Sequence, residues 1–117
     1  MEVEATSVMA AEANDEEARL AAGGDRAAFA SLYVRHRDTV FRYLRARCAS
    51  DDDALELSAV TFERALTAMP RFRPQGGGVL AWLLRIARNA VIDQERRRRP
   101  TAAVVDGARA PIAGSNA

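Results

Sequence analysis

The chain has 117 residues, of which 49% are hydrophobic, and this suits one domain with a modest core. Its single cysteine and single histidine exclude an intramolecular disulfide and a histidine–cysteine metal cluster, so we expect no metal and no other cofactor. The chain begins without a basic or apolar leader and contains no apolar run near the ~18 residues of a transmembrane helix, so we expect a cytoplasmic protein.

The charges are segregated along the chain. Residues 1–25 contain seven acids and one arginine, a net charge of −6, whereas residues 26–100 contain fifteen arginines and eight acids, a net charge of +7. A basic segment of this kind favours a polyanionic partner, although charged faces of small domains are often simply solvated. All seventeen basic residues are arginines, which codon usage in a GC-rich genome explains most simply. The planar guanidinium also suits phosphate and base recognition.

The N-terminal part is predicted to contain one short helix. Residues 1–13 are small and acidic and should form a disordered leader, after which residues 14–100 should form the domain. Asn14 can cap a helix over residues 15–22, and Gly23 and Gly24 can end it.

Two longer helices are predicted next. Asp25 can cap a helix that runs to about Cys48, because its larger apolar residues recur at steps of three and four. The cluster from Ser50 to Asp53 can cap a third helix, which should end near Pro70.

The C-terminal part combines a loop with the clearest helical pattern. Two prolines and three glycines predict a loop from Arg71 to Gly78, and a single apolar stripe then predicts a helix from Val79 to Arg99, ended by Pro100. The stripe consists of Val79, Trp82, Leu83, Ile86, Ala87, Ala90 and Val91. Residues 101–117 resemble a flexible tail or linker. The elements together predict an all-α fold, a compact three-helix bundle with a short N-terminal lead-in helix.

The polar side of the last predicted helix is the strongest candidate for a binding surface. Arg85, Arg88, Asn89 and the run from Arg96 to Arg99 would place cationic donors and one amide along a solvent face. Such groups pair with phosphates and base edges, so the pattern favours nucleic-acid binding. The alternative is a solvated helix face with a basic tail.

The loop before this helix adds candidates for contact with unpaired bases. Phe72 and Arg73 lie beside a flexible segment, where an aromatic ring or a guanidinium can stack on a base. Trp82 belongs to the apolar stripe, and we expect it in the core.

Enzymatic activity is not expected. The sequence contains no phosphate-binding loop, nucleophile elbow or paired-histidine motif. Residues 51–53 are three aspartates that could bind a cation, but helix capping explains them better. His36 is interpreted as a packed or surface histidine, and Cys48 as a small apolar residue.

The order of several segments resembles conserved region 2 of the bacterial extracytoplasmic-function (ECF) sigma factors. The resemblance extends from about Asp15 to Arg99. It rests on AFASLY from Ala28, VFRYL from Val40, FERAL from Phe62, RFRP from Arg71, and AWLLRIARN from Ala81 followed by Ile92 and Asp93.

This resemblance implies that the last helix and its preceding loop recognise the minus-ten promoter element, with the non-template strand melted and a base captured by the loop over residues 72–80. Asn89 would contact a base or the backbone, and the arginines of the helix would contact phosphates. The implied DNA-binding residues are Phe72, Arg73, Gln75, Arg85, Arg88, Asn89 and Arg96.

The resemblance also implies that the third helix docks on the clamp coiled coil of core RNA polymerase. The implied contacts are Asp53, Glu56, Leu57 and Val60. Ala59 and Val60 stand where the family usually has a polar residue and a glutamate. The alternative is therefore a decoy or regulator that binds polymerase or an anti-sigma protein without initiating transcription. The family's second domain, which reads the minus-35 element, has no counterpart before Ala117, so the chain is either a fragment or a one-domain member.

Overall fold

Helices account for all the regular secondary structure in the described residues. The computed structural model describes residues 15–74 and 77–98. Residues 15–22 form helix α1, Arg26–Arg45 form α2, Asp51–Ala68 form α3, and Gly78–Arg97 form α4, with a single turn of 3-10 helix at Met69–Arg71 after α3. The predicted all-α fold with a short first helix is confirmed.

Two of the predicted helix starts are present. The Asp25 carboxylate accepts a hydrogen bond from the Ala28 backbone N–H at 3.0 Å, and the Ser50 hydroxyl accepts one from the Asp53 N–H at 3.1 Å. Each side chain satisfies a backbone donor that has no partner within its own helix.

Helix α2 ends three residues earlier than its apolar pattern predicted. It ends at Arg45 instead of near Cys48, and the Arg47 N–H bonds to the Leu44 carbonyl at 2.9 Å, a tighter turn than that of an α-helix. Residues 46–50 form a turn, and the extended backbone of Ser50 directly precedes the next helix.

One core lies between the helices. In α4 the residues Val79, Leu83, Ala87 and Ala90 are buried, as the apolar stripe predicted, whereas Trp82, Ile86 and Val91 pack around them half-buried. The other helices contribute Ala18, Ala21, Ala28, Leu32, Val40, Leu44, Ala54, Leu57, Phe62 and Ala65. A bidentate contact also joins α1 to α2: Arg35 of α2 donates to both carboxylate oxygens of Glu17 of α1 at 3.2 Å.

The connection between α3 and α4 is more structured than a loop from Arg71 to Gly78. The first part is the 3-10 turn, and Gly78 already belongs to α4. Gly77 and Gly78 have φ values of 89° and 69°, a left-handed conformation that favours glycine. A Cβ atom on Gly77 would lie 2.6 Å from the Cβ of Ala81, so glycine is required for the close approach as well.

Several predictions fall outside the described residues. These are the leader over residues 1–13, the Asn14 cap, Gln75, the stop at Pro100, and the tail over residues 101–117. The last helix ends at Arg97, two residues before the predicted end at Arg99. Within residues 15–74 and 77–98, none of the helices is long and apolar enough to span a membrane.

Candidate nucleic-acid interface

The outward side of α4 carries the predicted polar residues. Arg85, Arg88 and Asn89 are exposed, and Arg96 is partly exposed. Their spacing of three, one and seven residues places them on the side of the helix opposite the buried stripe. We call these four residues the arginine face.

The cations of the arginine face differ from other charged groups of α4. Asp93 pairs with Arg64 of α3 at 2.9 Å, and Arg98 pairs with Asp53 of α3 at 2.8 Å. Among the described residues, no carboxylate forms an ion pair with Arg85, Arg88 or Arg96. Their donors are therefore available to an external acceptor, and guanidinium donors match the geometry of phosphate oxygens.

The loop residue Phe72 is corrected by the structure. Its ring is only 4% exposed and packs edge-to-face against Trp82, with the ring centroids 5.0 Å apart. A ring held in this way cannot stack on an extruded base, because its faces are covered by the core. Phe72 instead holds the connection against α4, and Trp82 is half-buried beside it.

Arg73 remains at the surface next to this aromatic pair. Its Nη1 donates to the carbonyl oxygens of Phe72 at 2.8 Å and of Pro70 at 3.3 Å. These bonds orient the guanidinium along the connection while the side chain stays exposed.

The predicted polymerase-binding residues do not share one surface. Leu57 is 1% exposed and belongs to the core, so the expectation that it contacts a partner is corrected. Glu56 is exposed and Val60 is half-buried. The Asp53 side chain is only 15% exposed and is engaged by Arg98. The hydrogen bond and the negative charge of Asp53 raise the pKa of the Arg98 guanidinium.

The outward side of α3 also presents apolar side chains. Leu55 is 58% exposed and Leu66 is 57% exposed, with the exposed Ala59 between them. The phase of the helix separates Leu55 from the buried Leu57, because residues two apart lie on different sides of a helix. Leu66 follows Leu55 by eleven residues, about three helical turns, and this spacing in the sequence indicates that the two side chains lie on the same side of α3.

His36 and Cys48 are not placed for chemistry. His36 is 6% exposed, and burial lowers the pKa of its imidazole. Cys48 is half-buried, and burial raises the pKa of its thiol, which keeps the sulfur in its less reactive protonated form.

Comparison with known proteins places this arrangement in a family. Residues 32–101, which include α3, α4 and most of α2, match the family model for sigma-70 region 2. The chain belongs to the sigma-70 region 2 family. The resemblance inferred from the sequence is thereby confirmed.

The relatives of this region 2 chain are ECF RNA polymerase sigma factors. BldN of Streptomyces coelicolor is 40% identical over 79 residues, which cover 68% of this chain and 30% of BldN. SigD of Mycobacterium bovis is 34% identical over 104 residues, which cover 82% of this chain and 47% of SigD. SigD of Mycobacterium tuberculosis matches to the same extent. The chain thus spans less than half the length of these relatives.

A solved structure supports the same assignment. A chain in the structure of an RsbN–BldN complex is 38% identical to this chain and superimposes with a TM-score of 0.62. The match covers 79% of this chain and 63% of that chain.

Proposed function

We propose that this chain is the sigma factor module that recognises and melts the minus-ten promoter element during transcription initiation. The observation that carries the proposal is the arginine face of α4, whose cations have no carboxylate partner among the described residues. Membership of the sigma-70 region 2 family supports it independently.

Each group on the face has a role that follows from its chemistry. Arg85, Arg88 and Arg96 contact phosphates, which position the strand without reading its sequence. The Asn89 amide both donates and accepts hydrogen bonds, so it can read the edge of an unpaired base. Arg73 and Gln75 extend the contact onto the connection before α4.

Melting of promoter DNA requires binding energy, but no covalent bond has to be made or broken. Extruding a base costs a few kcal/mol, and a positively charged groove offsets that cost by holding the freed strand. The module therefore needs no catalytic residue, and we propose that it has no enzymatic activity of its own.

Core RNA polymerase is the proposed protein partner. The resemblance to ECF sigma factors assigns α3 to the clamp coiled coil, and of the implied contacts Glu56 is exposed and Val60 is half-buried. The exposed Leu55 and Leu66 supply apolar area that a docked partner would remove from water. Binding to a second protein, an anti-sigma partner, is supported by the relative found in the RsbN–BldN complex.

A fluorescent minus-ten single strand tests the DNA-binding role in the presence of core polymerase. We expect R85A and R88A each to weaken binding about threefold to tenfold. Each should also reduce the slope of log affinity against log salt concentration by about one, the value for one lost phosphate contact. N89A should reduce the preference for the minus-ten strand over a scrambled strand. R42A is the matched control, because Arg42 is an exposed arginine on α2. Equal binding of both strands by the wild type would refute the proposal.

The polymerase contact is tested separately by charge reversal. We expect E56K to weaken binding to core polymerase. Reversing the charge would replace an attraction across the interface with a repulsion, which costs more than the loss of the contact alone. E16K is the control, since Glu16 lies on α1 and pairs only with Arg19 of the same helix among the described residues. An equal affinity of E56K and E16K would exclude Glu56 from the docking surface.

A further inference from the structure

Helices α3 and α4 are joined by two ion pairs of opposite polarity. At one end Asp53 of α3 meets Arg98, the residue directly after α4, with Oδ1 and Nη2 2.8 Å apart. Further along, Arg64 of α3 meets Asp93 of α4, with Nη1 and Oδ2 2.9 Å apart. The pairs show that the two helices run in opposite directions.

Both acids are largely removed from water. The side chain of Asp53 is 15% exposed and that of Asp93 is 19% exposed, whereas Asp51, two residues before Asp53, is 76% exposed. A carboxylate with so little contact with solvent depends on its partner, because loss of the partner leaves a poorly solvated charge.

The low exposure also limits what Asp53 can do for an outside partner. Its Oδ1 is already engaged by Arg98, and an incoming cation would have to displace a guanidinium from a mostly covered carboxylate. Asp53 is therefore better suited to an internal role than to a contact with polymerase.

We propose that Asp53 and Arg98, together with Arg64 and Asp93, are positioning residues that set the register of α4 on α3. The inference rests on the proposed function: α3 docks on polymerase, so its register with α4 determines where the arginine face meets the DNA. Sliding α4 by one turn, about 5.4 Å, would separate both pairs at once.

Three variants of the first pair test this idea: D53N, R98Q and the double variant. We expect each single variant to weaken binding of the polymerase-bound protein to the minus-ten strand by about threefold to tenfold. The double variant should bind no more weakly than the weaker single variant, because both remove one interaction. Affinity for core polymerase should change less than twofold in all three.

A reversed pair separates positioning from general damage. D53R and R98D alone should each weaken binding to DNA, and D53R/R98D should bind more tightly than either. D51N is the matched control: it removes the same charge from the same turn of α3, but Asp51 pairs with Arg45 of α2. It should leave the affinities for DNA and polymerase unchanged.

Each other outcome overturns the inference in a recognisable way. If D53N weakens polymerase binding and R98Q does not, Asp53 is a polymerase contact. If R98Q weakens DNA binding while D53N strengthens it, Arg98 is a phosphate contact that Asp53 restrains. If D53N and R98Q behave like D51N, the pair positions nothing.

The affinity of the wild type for the strand tests the proposed function, and thermal unfolding tests the ion pair by itself. If the wild type does not bind the strand, the proposed function fails. The ion pair between Asp53 and Arg98 can then be tested by thermal unfolding of the wild type, D53N, R98Q and the double variant D53N/R98Q. D53N and R98Q should each lower Tm by about 1–3 °C, and the double variant by no more than the larger single shift. Additive shifts would show that Asp53 and Arg98 do not act as a pair.

Discussion

The starts of α3 and α4 are stabilised in different ways. Helix α3 begins with the Ser50 cap and three aspartates in its first turn. Helix α4 is preceded by Gly77, which offers no side-chain cap, and its first turn has no acid of its own. The acid near the start of α4 is Asp15 of α1, whose Oδ1 would lie 3.2 Å from a Cβ atom on Gly78. The start of α3 is encoded locally, whereas that of α4 depends on contacts from elsewhere in the fold.

The largest effect expected at the start of α4 comes from F72A. Removing the buried ring leaves a cavity beside Trp82 and should lower the free energy of unfolding by about 3 kcal/mol. Trp82 is the only tryptophan, so its fluorescence reports directly on this contact during denaturant unfolding. F72L keeps most of the volume and should cost less than about 1.5 kcal/mol. Equal, small losses for both variants would mean that the ring does not hold the connection.

G77A should have the next largest effect. The left-handed backbone and the clash with Ala81 should together lower the free energy of unfolding by about 2–3 kcal/mol. G23A is the control, because a Cβ on Gly23 meets its nearest atom at an ordinary 3.5 Å. If G77A is as stable as G23A, the start of α4 does not require glycine.

S50A tests the local stabilisation of α3. Loss of the cap should lower the free energy of unfolding by about 1 kcal/mol, measured by urea unfolding. S58A is a matched control on the same helix, because the buried Ser58 hydroxyl has no hydrogen-bond partner among the described residues. Its removal should be neutral or slightly stabilising. A larger loss for S58A than for S50A would contradict this account.

A change of pH should give the smallest effect, and it should act through His36 of α2 and not through the start of α3 or α4. Burial holds the pKa of His36 below 6.5, so the unfolded chain binds a proton more readily than the folded chain. The stability is therefore full above pH 6.5 and decreases as the pH falls from 6.5 toward the folded pKa. Urea unfolding between pH 7.5 and 5.5 should show this decrease in the wild type and not in H36Q.

Much of the fold could be predicted from the sequence because the relevant signals are local. Asp25 and Ser50 precede their helices directly, and the stripe from Val79 to Val91 shows its period within thirteen residues. The exposed positions of Arg85 and Arg88 follow from the same period.

The remaining features depend on distant partners. Phe72 lies between two prolines and was expected at the surface, but its burial depends on Trp82, ten residues later. The contact of Asp53 with Arg98 joins residues 45 positions apart, and a charge pattern cannot specify such a pair. Leu57 is a different case, because its helical phase matches that of the buried Ala54 and Thr61. Periodicity alone would have predicted its burial, whereas the resemblance to a family motif predicted a contact with polymerase.

The arginine face also limits how the proposed DNA binding could be switched off. A guanidinium stays protonated throughout the physiological range, and the chain has no lysine whose acylation could remove a charge. Neither a drop in pH nor lysine acylation can neutralise Arg85, Arg88 or Arg96. Under the proposed function, release of the strand would come from competition, either by ions at higher salt or by another surface that occupies the same side of α4.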